Sequence, residues 1–169
     1  MKKCSILACS IFLASASILL NSCSSNQTIE QTTSLKISSF TNSGCKLNVE
    51  TAKPLTNDPN EKVQYTATED GGLKISHFNV YFNCAADIYT EVALDNDSKT
   101  IVINEKNKSK EQADCMCNFD ISTEVKKLED GKYTIIIKNE AERDFTFDIN
   151  YNKDLKGEIE IQRPKYNLR

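Results

Sequence analysis

The feature that most constrains the fold is the spacing of apolar residues, which recur at every second position from Ser34 onward. In the segment 117–126, Cys, Phe, Ile, Thr and Val occupy the odd positions and polar residues occupy the even ones. The segment 145–150 repeats this pattern with Phe, Phe and Ile. A β-strand points successive side chains to opposite sides, so such alternation places one side in a core and the other in water. The chain is therefore predicted to consist of half-buried strands.

Further alternating or β-branched runs extend this pattern through the chain, at 62–66, 88–93, 99–105, 133–137 and 158–162. Clusters of turn-forming residues separate the runs, at Pro54, 57–60, 70–72, 95–98, 129–131 and 152–154. The cluster 95–98 lies between two alternating runs and predicts a hairpin. About eight or nine short strands in one domain predict an all-β fold, a β-sandwich that is immunoglobulin-like in the broad sense.

Two segments depart from simple two-residue alternation or also fit another pattern. Ile121, Val125 and Leu128 also have the spacing of one helix face, but β-branched residues and continuous alternation favour a strand there.

In the run 73–84 the apolar residues change from one face of the strand to the other near Ser76–His77. Leu73 and Ile75 lie on the first face, and the second face carries Phe78, Val80, Phe82 and Cys84. A β-bulge produces such a change, and here it would point Cys84 into the core.

Residues 1–22 have the order of a secretory signal peptide. Lys2 and Lys3 provide a positive start, and 6–20 provide an apolar run with small residues interspersed. The run is shorter than the ~20 residues that a membrane span needs, and serines interrupt it. A removable signal peptide is therefore favoured over a transmembrane anchor.

The signal segment ends in Leu20-Asn21-Ser22-Cys23, which resembles the lipobox of bacterial lipoproteins. The resemblance covers the first 23 residues. It implies cleavage before Cys23, a diacylglycerol on the sulfur, and a third acyl chain, such as palmitate, on the new amino group. Three acyl chains hold a protein on a membrane far more firmly than one. The alternative is an ordinary signal peptide followed by a chance cysteine.

The residues after Cys23 predict where the protein is delivered. In lipoproteins of Gram-negative bacteria, a serine such as Ser24 is taken to permit sorting to the outer membrane. Residues 25–27 lack the acidic cluster that directs some lipoproteins to the cell exterior. The predicted location is therefore the outer membrane, facing the periplasm. The polar segment 23–33 reads as a lipidated cysteine with a flexible tether, and 34–169 as a single β-sandwich domain.

The charge balance of the exported part bears on its partners. Lys2 and Lys3 lie in the signal segment and no acidic residue does, so the 21 basic residues fall to 19 against 24 acidic residues. Nucleic acids and anionic lipid surfaces require a basic patch. The composition therefore disfavours nucleic acid as a partner, and membrane contact is expected through the acyl chains on Cys23.

Four cysteines remain after the signal segment and Cys23 are set aside, namely Cys45, Cys84, Cys115 and Cys117. An even number in an exported protein predicts two disulfides, because the compartment is oxidising. A bond between positions 115 and 117 is disfavoured, since extended residues two apart lie nearly 7 Å from each other. Two pairings are left open, and the preferred one joins Cys84 to Cys117 and Cys45 to Cys115.

A zinc site is the alternative use of these residues. One imidazole and three thiolates, from His77, Cys84, Cys115 and Cys117, form a ligand set that zinc accepts. The Cys-X-Cys spacing is not that of a zinc knuckle, and the phase argument places His77 off the cysteine face unless the bulge redirects it. A lone histidine near a bulge is expected to be a surface or hydrogen-bonded residue. Disulfides are therefore preferred, with zinc as the alternative cofactor.

No catalytic residues are predicted. His77 is the only histidine, there is no Gly-X-Ser-X-Gly pattern, and the loop 95–97 lacks the spacing of a calcium loop. The predicted function is a non-enzymatic binding or structural module of the cell envelope, which meets an unknown protein or ligand through exposed loops or a sheet edge. The alternatives are a zinc-binding lipoprotein and an enzyme inhibitor acting through an exposed loop.

Overall fold

A computed structural model describes residues 32–48, 53–54, 60–140 and 144–162. The signal segment, the motif ending at Cys23 and most of the tether lie outside the described residues. The part that is described contains no helix long and apolar enough to cross a membrane.

The described chain forms twelve strands and no helix. In chain order they are β1 Thr32–Ser34, β2 Ile37–Asn42, β3 Leu47–Asn48, β4 Lys53–Pro54, β5 Glu61–Ala67, β6 Leu73–Asn83, β7 Ile88–Asp95, β8 Thr100–Asn107, β9 Met116–Val125, β10 Gly131–Asn139, β11 Phe145–Tyr151 and β12 Lys156–Ile161. Nine of them have six residues or more. The all-β class and the predicted number of strands are confirmed.

Two five-stranded sheets pack face to face as a β-sandwich. The first sheet has the order β1-β7-β8-β10-β11, and the second has the order β12-β5-β6-β9-β2. All neighbouring pairs in these two sheets are antiparallel except β8 and β10, which run parallel. Side chains join the facing sheets, as in the stacked rings of Tyr65 on β5 and Phe147 on β11. β3 and β4 form a separate two-stranded pair.

The alternation in the sequence matches the observed burial. On β9 the odd positions from Cys117 to Val125 are all buried, so this segment is the predicted strand and not a helix. The predicted hairpin is also present, because β7 ends at Asp95 and β8 begins at Thr100, its antiparallel partner. The Asp95 side chain accepts hydrogen bonds from the backbone of Asp97 and Ser98 within the turn.

The predicted bulge in β6 lies slightly later than expected. His77 pairs with Ile121 and Val80 pairs with Phe119, so two β6 residues, Phe78 and Asn79, oppose one residue of β9. Asn79 has a φ of 60°, a left-handed conformation that asparagine tolerates better than most residues. Because the extra residue follows His77, that side chain stays on the inner face with Leu73 and Ile75. The phase argument, which placed His77 off the cysteine face unless the bulge redirects it, was therefore wrong about the face. Of the two environments expected for a lone histidine, surface or hydrogen-bonded, the structure shows the second.

A layer of polar side chains divides the sandwich core into two apolar clusters. The larger cluster includes Ile75, Val92 and Ile103, and the smaller one includes Val80, Ile88 and Phe119. Between them lies what we call the polar layer, which consists of six buried residues: Glu61, His77, Thr90, Glu105, Thr123 and Asn139. Thr90, Glu105 and Asn139 are directly opposite one another on β7, β8 and β10. The layer therefore runs across the sandwich from strand to strand.

Candidate functional site

The four cysteines lie together at one end of the sandwich and form two disulfides. Cys45 bonds to Cys117, and Cys84 bonds to Cys115, with Cα–Cα distances of 5.7 and 5.6 Å. Cys117 is buried in the smaller apolar cluster, while the other three are half-buried. The prediction that all four cysteines form disulfides is confirmed. The preferred pairing was wrong, and the molecule uses the other of the two pairings left open.

Strand register explains the observed pairing. Phe82 lies opposite Cys117 and Asn83 opposite Met116, so Cys84, the residue after β6, meets Cys115 rather than Cys117. The backbone N–H of Cys84 donates to the carbonyl of Cys115 at 3.1 Å. Cys45 reaches β9 from the other side, because the backbone N–H of Lys46 donates to the carbonyl of Asn118 at 2.9 Å.

The two disulfides lie next to each other. The sulfur atoms of Cys45, Cys84 and Cys117 all lie within 4.8 Å of one another, and Cys115 is bonded to Cys84. We call these four residues the four-cysteine cluster. His77 is not part of the group of ligand atoms that lie this close, so the structure does not bring together the predicted set of His77, Cys84, Cys115 and Cys117.

His77 instead belongs to a second constellation in the polar layer, the triad Glu61–His77–Glu105. Its Nδ1 lies 2.9 and 3.0 Å from the two carboxylate oxygens of Glu105, and its Nε2 lies 2.6 Å from Oε1 of Glu61. Glu61 and His77 come from the second sheet and Glu105 from the first. The imidazole therefore links the two sheets through the core.

The triad is almost sealed from solvent, with side-chain exposures of 2% for His77, 2% for Glu105 and 7% for Glu61. Burial by itself lowers the pKa of His77, but the charge of Glu105 and the hydrogen bonds to both carboxylates outweigh it and raise the pKa to about 9. At neutral pH the imidazolium is the favoured form, and both ring N–H groups donate to carboxylates. A buried charge of this kind requires partners, and His77 has two.

This geometry limits what the triad can do chemically. Both ring nitrogens of His77 are occupied and the side chain is buried, so neither nitrogen is presented to an external substrate. A single metal ion cannot replace both hydrogen bonds, because the two carboxylates lie at opposite nitrogens of the ring. The arrangement is suited to holding the two sheets together.

Sequence reasoning missed Glu61 and Glu105. A signal for Glu105 exists in β8, where Ile101 and Ile103 mark the buried phase and Glu105 continues it. An acidic residue in the buried phase of a strand predicts a buried partner, since an unpaired carboxylate in a core is strongly unfavourable.

Comparisons of the chain with protein-family models, with curated proteins and with solved structures give no match in any of the three. Function is therefore inferred from residues and geometry alone.

Proposed function

We propose that this protein is a lipid-anchored protein of the bacterial cell envelope that acts as a non-enzymatic binding or structural module. The observation that carries the proposal is the motif Leu20-Asn21-Ser22-Cys23 at the end of a signal-like segment. The two disulfides support export, because such bonds form and persist in oxidising compartments. The outer membrane, facing the periplasm, is the proposed location.

The distance between the anchor and the sandwich limits where the module works. Cys23 precedes Thr32, the first residue of β1, by nine positions. A fully extended chain spans at most about 3.3–3.6 Å per residue, so this segment reaches about 30 Å. The domain is thereby held close to the membrane surface, where it meets partners that are themselves in or near the envelope.

A non-enzymatic role is supported by the burial of the triad and by the pairing of the cysteines. The groups most suited to acid–base or nucleophilic chemistry among the described residues are His77 and the cysteine thiols. His77 is 2% exposed with both nitrogens engaged, and the four described cysteines are in disulfides. Binding is proposed to use exposed segments, for which the edge strand β11 and the loop 108–115 are the candidates.

Lipid attachment is tested by the variant Cys23→Ala. It is expected to abolish incorporation of an alkyne-tagged palmitate analogue, because the sulfur and the new amino group of Cys23 are the proposed acylation sites. The measurement is fluorescence of the immunoprecipitated chain after attachment of a dye to the alkyne, alongside mass spectrometry of the wild-type N-terminus. Cys9→Ala is the matched control and is expected to keep full labelling. Labelling retained in Cys23→Ala would sink the lipobox interpretation.

The binding role is tested with a photo-crosslinking amino acid placed at single exposed positions in cells. Gln112 lies in the loop 108–115, Asp148 on the edge strand β11, and Glu91 on the internal strand β7 as a control. A discrete cross-linked species is expected from Gln112 or Asp148, and little or none from Glu91. Equal, diffuse cross-linking at all three positions, or none at any, would count against a binding module.

A further inference from the structure

The sulfur atoms of the four-cysteine cluster lie close together, although the cysteines come from three separate parts of the chain. Cys45 lies before β3, Cys84 directly follows β6, and Cys115 and Cys117 lie just before and within the start of β9. In a tetrahedral zinc–thiolate site the metal–sulfur distance is about 2.3 Å, which places neighbouring sulfurs roughly 3.8 Å apart. Three sulfurs here already lie within 4.8 Å of one another, and the fourth, on Cys115, is bonded to one of them. Breaking both sulfur–sulfur bonds therefore leaves three thiol groups near the spacing of a zinc site, with the Cys115 thiol next to that of Cys84.

In addition to the disulfides, hydrogen bonds and an ion pair hold the backbone on each side of the cluster. Around Cys45, the N–H of Ser43 donates to the carbonyl of Asp120 at 2.9 Å, and the Lys46 ammonium forms an ion pair with the Asp120 carboxylate. On the other side, the amide of Asn83 donates to the carbonyl of Ala113 at 2.7 Å and accepts from its N–H at 3.0 Å. None of these contacts uses a sulfur atom, so we expect them to keep the four side chains close together when the sulfur–sulfur bonds are broken.

We propose that the reduced four-cysteine cluster binds one thiophilic divalent cation of the zinc class through the thiolates of Cys45, Cys84, Cys115 and Cys117. Reduction of each disulfide takes two electrons and two protons from a dithiol, which is itself oxidised to a disulfide. The cation then displaces the proton from each thiol as the metal–sulfur bond forms. Metal binding and oxidation compete for the same four sulfurs. His77 is not a ligand, because both its nitrogens are engaged by Glu61 and Glu105.

This site is distinct from lipid attachment, and its test does not depend on that proposal. The experiment uses the full chain in detergent micelles with Cys4→Ser, Cys9→Ser and Cys23→Ser, so that only the four cluster thiols remain. A phosphine reductant, which becomes the phosphine oxide with oxygen from water, cleaves both disulfides without adding a competing thiol. Cobalt(II) is then titrated as a spectroscopic substitute for zinc.

The reduced protein is expected to bind one cobalt per chain, with intense visible bands of tetrahedral thiolate coordination that zinc abolishes by displacement. The oxidised protein is expected to bind none. Cys45→Ser is expected to weaken cobalt binding by more than about tenfold. Loss of a residue that only supports a ligand already weakens metal binding by about 10–100-fold, and loss of the ligand itself is expected to cost at least the lower end of that range. His77→Gln is expected to leave the spectrum unchanged.

Several outcomes would overturn the proposal. One is absence of stoichiometric cobalt binding by the reduced chain, including absence because the chain unfolds. A second is equal binding in concentrated urea, which would show that the folded cluster plays no part. A third is a changed spectrum in a His77→Gln chain whose circular dichroism matches that of the wild type, which would indicate a ligand set containing the imidazole.

Discussion

Replacing Glu105 with glutamine is expected to lower the free energy of unfolding by about 3–5 kcal/mol, because it removes one partner of a buried ion pair and leaves the other charged. Glu105 is 2% exposed, and its two carboxylate oxygens lie 2.9 and 3.0 Å from Nδ1 of His77. Glutamine has nearly the same shape, so the change tests the charge and not the packing. Urea denaturation followed by circular dichroism at neutral pH measures the effect.

Glu91→Gln is the matched control for this prediction. Glu91 lies on the neighbouring strand β7 and forms an exposed ion pair with Lys106 at 2.6 Å. Exposed pairs contribute about 0–1 kcal/mol, so this variant is expected to unfold almost like the wild type. Equal effects of Glu105→Gln and Glu91→Gln would show that the triad does not hold the sheets together.

The pH dependence of stability gives the same prediction a second readout. The pKa of His77 is raised from 6.5 to about 9 in the folded chain, so folding favours the protonated form. The resulting stabilisation is complete below about pH 6.5 and is lost as the pH rises through about 9, with a total of about 3 kcal/mol. Glu105→Gln is expected to flatten this part of the profile relative to the wild type. Parallel pH profiles for the two proteins would contradict the conclusion that Glu105 stabilises the protonated form of His77.

Removing the disulfide between Cys45 and Cys117 is expected to destabilise the protein by about 4 kcal/mol, as the double variant Cys45→Ala/Cys117→Ala. The bond spans 72 residues, and restraint of a long loop lowers the entropy of the unfolded chain. Burial of Cys117 in the smaller apolar cluster adds a packing loss. The measurement is urea denaturation of the oxidised double variant, in which the disulfide between Cys84 and Cys115 is retained.

The matched control is Cys84→Ala/Cys115→Ala, which removes a bond spanning 31 residues. The stabilisation from loop-closure entropy is smaller for this shorter loop, by about 0.7 kcal/mol. Neither Cys84 nor Cys115 is fully buried, so the packing loss is also smaller. The expected order of stability is therefore wild type, then this variant, then Cys45→Ala/Cys117→Ala. The reverse order of the two variants would contradict the loop and burial argument.

The pairing itself is checked by peptide mapping under non-reducing conditions. Trypsin leaves positions 115 and 117 in one peptide, but cyanogen bromide cleaves after Met116 and separates them. The observed structure predicts that peptide 37–46 is linked to 117–126, and peptide 75–99 to 111–116. Links between 37–46 and 111–116 would instead indicate the pairing first preferred from the sequence.

The strands were predictable from the sequence because β-structure leaves a local trace. Each strand has one face in the core, so apolar residues recur with a period of two in segments such as 117–126 and 145–150. The change of phase in the run 73–84 likewise predicted a bulge in β6, although the extra residue lies after His77 and not at it. An even set of four cysteines in a chain that is expected to be exported was enough to predict two disulfides.

What the sequence by itself determined is therefore the local conformation, the layered all-β class and the use of the cysteines. Only the tertiary structure decided which cysteine meets which, because positions 115 and 117 lie on one short stretch and strand register selects between them. Only the tertiary structure revealed the triad, since Glu61 and Glu105 are 16 and 28 residues from His77 and the two carboxylates lie in different sheets. Such partners are set by the packing of one sheet on the other, and that packing leaves no period in the sequence.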